Sequence, residues 1–145
     1  MSHATRHRSA DVAVGYAADD ASGNGIAYAA VATGTGRGTV RVPFLAQPLA
    51  ALDGREFGYA AAAAVAGYLR GRGFTRIRLR LADAHVVDEI SGRRGVPPAL
   101  AMAYVKTRCI LHSFAVARVE RAEPVETHEL EARARADVLR TPVAA

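Results

Sequence analysis

The sequence predicts one α/β domain on a five-stranded mixed sheet, in the order β-β-β-α-β-α-α-β-α, with helices on both faces. Three observations predict it. Up to about residue 45 the chain alternates apolar residues with small or polar ones and breaks at glycine-containing turns, which is the patterning of strands and hairpins. From residue 53 onward helical apolar spacing takes over, interrupted by further alternating runs. The length of 145 residues, half of them apolar, suits one compact core.

The elements follow in order. Residues 1–10 read as a polar tail and 141–145 as another, leaving 11–140 as the domain. Val12, Val14 and Tyr16 alternate with small residues as a first strand. Ser22-Gly23-Asn24-Gly25 is the strongest hairpin signal, because Asn-Gly tolerates the positive φ of a tight turn. A second strand runs from Ile26 to about Thr33, and Gly34-Thr35-Gly36 turns the chain again. Val40, Val42 and Phe44 mark a third strand. Pro43 cannot donate to a ladder, which puts that strand at the sheet edge. These three strands form an antiparallel meander.

Asp53 is placed to cap a helix, with Glu56 three residues on as in a capping box. Phe57, Ala61, Ala64, Val65 and Leu69 recur at helical spacing, and Gly71 and Gly73 end the run. Ile77, Leu79 and Leu81 alternate with Arg76, Arg78 and Arg80, giving a fourth strand with one apolar and one cationic face. Asp83 ends this strand and caps a short helix, Ala84 to Ile90. Pro97-Pro98 opens another helix with Leu100, Tyr104 and Ile110 inward. Phe114, Val116 and Ala117 to Val119 read as a fifth strand. A last helix spans about Val125 to Leu139, with Leu130, Ala134 and Val138 in one row. Helical crossovers make the late strands parallel to the first.

The formal charge is +5 and the isoelectric point about 10.0. A polyanion partner follows, nucleic acid before an acidic membrane surface. The single cysteine, Cys109, excludes an internal disulfide and a cysteine zinc cluster, and on an apolar helix it is expected in the core. No apolar run approaches the ~20 residues that span a bilayer. The N-terminal residues hold His and Arg without an apolar stretch, unlike a secretory signal. No membrane partner and a cytoplasmic location are the expectations; the oligomeric state is left open.

One set of short motifs carries a resemblance. Asp20-Ala21-Ser22 closes the first strand, Arg55-Glu56-Phe57 opens the first helix, and Ala82-Asp83-Ala84 ends the fourth strand. Val119-Glu120-Arg121 then leads to His128-Glu129-Leu130. In order and setting these resemble the ribonuclease H family, of the ribonuclease HI type without the basic protrusion, over about Val12 to Leu139. The resemblance implies a metal-dependent endonuclease that cleaves the RNA strand of RNA–DNA hybrids. It implies Asp20, Glu56, Asp83 and His128 as catalytic metal ligands. Two divalent ions ~3.5–4 Å apart would be held there. Mg²⁺ or Mn²⁺ suits carboxylate oxygens.

Alternatives stay open at several positions. Asp19 can replace Asp20. A longer first hairpin would instead put Gly15 or Tyr16 at the family's Asp position, leaving the enzyme without activity. His128 stands where the family has its fourth acid, and a rotated helix would present Glu131. Hybrid contacts are assigned to Ser22 and Asn24 near the centre and to Arg93 and Arg94 in the following loop, where ribose 2′-hydroxyls and phosphates are read. The glycine-rich turns do not open helices, so they are not phosphate loops. The competing reading is a catalytically inactive nucleic-acid-binding module of the same fold; a third is a protein-association domain.

Overall fold

Three ten-residue strands open the fold: β1 (Ser9–Ala18), β2 (Asn24–Thr33) and β3 (Gly36–Leu45). The computed structural model describes residues 8–49 and 52–140. Of the tails expected at 1–10 and 141–145, residues 1–7 and 141–145 lie outside the described residues. Ser9 and Ala10 are not tail but open β1, and Ala10 is buried. Helix α1 (Arg55–Gly71) leads to β4 (Arg76–Leu81) and α2 (Ala84–Ile90). A 3-10 turn (Pro98–Leu100), α3 (Ala101–His112), β5 (Val116–Arg121) and α4 (Pro124–Arg140) complete the chain.

The sheet order is β3-β2-β1-β4-β5. The meander is antiparallel, while β4 runs parallel to β1 and β5 parallel to β4. Pro43 sits on the edge strand, where its missing N–H costs no central ladder bond. Side chains alternate across β1, so Val12 and Val14 join one core and Ala13 the other. The first core lies under α1, α2 and α3, with Leu79, Leu81, Tyr59 and Leu69 fully buried. In the second, Leu130 and Ala134 of α4 pack on Ala13, Ile26 and Tyr28, with Val138 beside them. No helix among the described residues is long and apolar enough to cross a membrane.

Three further expectations need correction. The hairpin turn is not Asn-Gly. Asn24 and Gly25 belong to β2, where Gly25 pairs with Ala18. The positive φ of +79° falls on Gly23, and a Cβ there would lie 1.7 Å from the Ala46 carbonyl oxygen. Asp19 closes this turn by accepting from Ser22 N at 3.1 Å and Ser22 Oγ at 2.6 Å, which holds its carboxyl below the usual range.

Asp53 is not the cap of α1. It has φ 50°, and the helix starts after Gly54 with no side-chain cap. Backbone turns already serve the first amides, Arg55 N to Leu52 O at 3.0 Å and Phe57 N to Gly54 O at 3.0 Å. Glu56 therefore closes no capping box. In the 3-10 turn and α3 the inward side is as expected, with Leu100 in the core and Tyr104 and Ile110 packed against it, and Thr107 and Leu111 are buried as well. Cys109, expected inside, is exposed.

The cationic face of β4 is engaged rather than open. Arg78 pairs with Asp11 at 3.2 Å and Glu120 at 2.5 Å, and Arg80 pairs with Asp11 at 3.0 Å and with Glu126. Acids on the flanking strands and α4 thus absorb much of the strand's charge.

Asp137 ties α4 to the meander. It accepts from Tyr28 Oη and, at 2.9 Å, from Arg41 Nε. The Tyr28 hydrogen bond first, then the Arg41 hydrogen bond, lower its pKa. A depressed folded pKa stabilises above the ordinary Asp value of about 3.9 and is lost as pH falls through the folded value. Melting temperature should therefore drop more steeply from about pH 5 to about pH 3 in the parent than in Asp137→Asn. Parallel melting curves across that window would show that Asp137 contributes nothing.

Candidate functional site at the carboxyl end of the central strands

Parallel pairing of β1 with β4 ends at Val14 beside Leu81. Two residues further along the chain stand Tyr16, still in β1, and Asp83, past the end of β4. This register brings Tyr16, not Asp20, alongside Asp83. Asp20 lies four residues on, beyond the end of β1 at Ala18, and is exposed in the β1–β2 turn.

Two glycines shape the surroundings of Tyr16. A Cβ on Gly58 of α1 would lie 2.8 Å from Tyr16 Oη and 2.9 Å from Val86 Cγ2. The missing side chain makes room for the phenol between α1 and α2. A Cβ on Gly15 would lie 2.6 Å from both Glu131 N and Leu130 Cβ. Here α4 rests directly on the β1 backbone, which brings Glu131 to this end of the sheet. The Tyr16 ring meets Phe44 edge-on, with centroids 6.4 Å apart and planes at 76°.

The electrostatics match this geometry. Burial raises the Tyr16 pKa well above its ordinary value, followed by the charges of Asp83, Glu131 and Glu56. Each carboxylate acts on the phenol from a different element. Asp83 Oδ1 also accepts from His85 N at 3.0 Å and Val86 N at 3.2 Å, so it caps α2 as its position before Ala84 predicts. Glu56 is 4% exposed. One of its oxygens, Oε2, accepts from Leu49 N, while Oε1 has no partner among the described residues.

His128 is exposed on α4. Of the four expected ligands, Glu56 and Asp83 act on one phenol, and Asp20 and His128 stand elsewhere. Among the described residues, no group of three or more His, Cys, Asp or Glu could hold a metal ion. The neutral phenol stands among the carboxylates instead, so this donor set does not fit a pair of divalent ions. A protonated phenol offers one hydrogen bond to a carboxylate or an incoming oxygen.

The assigned nucleic-acid contacts separate into two places. Ser22 and Asn24 lie at the β1–β2 turn, where the Ser22 hydroxyl donates to Asp19 and accepts from Asn24 N at 3.2 Å. Arg93 and Arg94 are exposed after α2, with the Arg94 guanidinium against His85 Nδ1.

Gly58 was not singled out by sequence reasoning. Nothing in the sequence sets it apart, since α1 also carries Gly67 and Gly71, where a Cβ would meet nothing within 4 Å. A buried network was also missed. Glu89 is 0% exposed and accepts from Arg55 Nη1 and Tyr59 Oη, each at 2.9 Å.

The backbone as a whole matches ribonuclease H1 of the halophilic archaeon Halobacterium salinarum at a TM-score of 0.69 and 19% identity, covering 89% of this chain and 98% of that one. The chain has the ribonuclease H fold. The N-terminal ribonuclease H domain of Rv2228c from Mycobacterium tuberculosis matches at 0.66 and 15% identity, over 90% of this chain and 94% of that one. LC11-RNase H1, solved in complex with an RNA/DNA hybrid, matches at 0.64 and 12% identity, over 90% and 99%. The sequence itself matches no family model and no curated protein. The β1–β4 pairing stops at Val14 beside Leu81, and Tyr16, two residues on, is the β1 side chain on which the Asp83 charge acts.

Proposed function

We propose that this ribonuclease H-fold chain binds RNA–DNA hybrids without hydrolysing them by a two-ion route. The observation that carries the reading is Tyr16 beside Asp83, a neutral side chain where the resemblance calls for a ligand carboxylate. Two-ion hydrolysis needs several acids converging on one point. Hybrid binding rests on the fold, on the hybrid held by LC11-RNase H1, and on the formal charge of +5. Arg93 and Arg94 are the phosphate contacts in this reading, because both are exposed and lie in one loop.

A labelled hybrid duplex tests it. The parent should bind the hybrid more tightly than double-stranded DNA, and affinity should fall steeply as salt rises. The double variant Arg93→Ala/Arg94→Ala should bind hybrid more weakly and flatten the log–log salt slope by about 2. An unchanged slope would remove that loop from the interface.

A second reading, cleavage of the RNA strand with Mg²⁺ or Mn²⁺, is favoured by Asp83, Glu131 and Glu56 all acting on the same phenol. It requires product from the parent in Mn²⁺ and none from Asp83→Asn. Intact hybrid after incubation with either ion is the outcome expected of the binding reading.

A further inference from the structure

The carboxylates around Tyr16 raise a question of compensation. Asp83 has two backbone amides, and one Glu56 oxygen has the Leu49 amide, yet Glu56 Oε1 has no partner among the described residues. Like charges near one another repel, and the usual relief is a cation or a proton, yet no three acids among the described residues are grouped to hold an ion. The register gives a different relief. It sets the Tyr16 phenol within reach of the charges of Asp83, Glu131 and Glu56. A single methyl added at Gly58 would lie 2.8 Å from the hydroxyl and 2.9 Å from Val86 Cγ2. Phe44 closes the ring edge. The phenol holds its proton firmly, since burial and the surrounding charges all disfavour phenolate.

We propose that Tyr16 plugs the acidic end of the sheet against divalent cations, and that Tyr16→Asp opens a site there for Mn²⁺. This deepens the reading of a non-hydrolysing centre. The change removes the ring, leaves space lined by Gly58 and Val86, and adds a fourth carboxylate beside Asp83, Glu131 and Glu56. Carboxylates from four elements then stand near the space the ring leaves, and oxygen donors are what a hard cation takes.

Melting and titration calorimetry of the full chain, with MnCl₂ or with EDTA and without nucleic acid, test this apart from hybrid binding. The parent and Tyr16→Phe should melt at the same temperature in both solutions and give no Mn²⁺ binding heat. Tyr16→Asp should melt lower than the parent in EDTA and gain about 5 °C or more in roughly 5 mM Mn²⁺. A comparable gain in the parent overturns the proposal, as does a folded Tyr16→Asp indifferent to Mn²⁺. If Tyr16→Asp does not melt cooperatively, the parent decides: Mn²⁺ binding heat with Tyr16 in place overturns the plug, and its absence supports it. Loss of hybrid binding in every variant would count against the proposed function and leave these readouts intact.

Discussion

Arg55→Ala should lower the unfolding free energy by about 3–5 kcal/mol, the cost of leaving a buried charge without its partner. Glu89 has no solvent exposure, and its two oxygens are taken by Arg55 and Tyr59. Removing the guanidinium strands the Oε2 side of that carboxylate. Burial, then the hydrogen bond to Glu89, raises the Tyr59 pKa, so the hydroxyl stays a donor but supplies no charge. The urea midpoint should fall with little change in slope. Arg55→Met/Glu89→Leu should recover most of the loss, since an apolar pair of similar volume is often neutral. A single-variant loss under about 1 kcal/mol would class the pair with surface ion pairs.

This network also bears on the candidate site. Arg55 precedes Glu56 on α1, and Glu89 lies on α2, the helix that Asp83 caps. The buried pair therefore fixes the two helices that present Glu56 and Asp83 to Tyr16. Tyr59 adds a second tie one turn along α1.

The sequence carried the element order because each element has its own periodicity. Val12 and Val14, the Ile77-Leu79-Leu81 run, and the Leu130-Ala134-Val138 row all face where their spacing puts them. It did not carry the register of the first hairpin. Ala17, Ala18, Ala27, Ala29 and Ala30 are all small, so a shift there changes little in the local pattern. The register comes from distant partners: β4 alongside β1, and α4 resting on Gly15. A motif anchored on residue identity then selected Asp20, which the turn exposes.

The last helix shows the opposite case. With Leu130 and Ala134 inward, 100° per residue turns His128 to roughly the far side, about 160° from Leu130. Glu131 is about 100° away and reaches the site's edge. The row that fixed the helix face therefore also argued for Glu131 over His128. Asp53 failed for a local reason. Gly54 offered a left-handed residue from which the helix could start, and backbone turns supplied the acceptors.

Gly15→Ala is expected to cost roughly 3 kcal/mol, the upper end for an overpacked site. The new methyl would lie 2.6 Å from Glu131 N and 2.9 Å from the Leu130 carbonyl carbon, both backbone atoms that no rotamer change can move. Either α4 lifts from β1 and β2, loosening Leu130 and Ala134, or β1 bends away from β4. Both routes separate Glu131 or Asp83 from Tyr16. Gly34→Ala is the matched control, because a Cβ there meets nothing within 4 Å. Its effect should stay within about 0.5 kcal/mol. Equal losses in the two variants, read from denaturant midpoints, would mean that α4 does not sit on Gly15. The contact that turns Glu131 toward the phenol would then be lost from the account of the site.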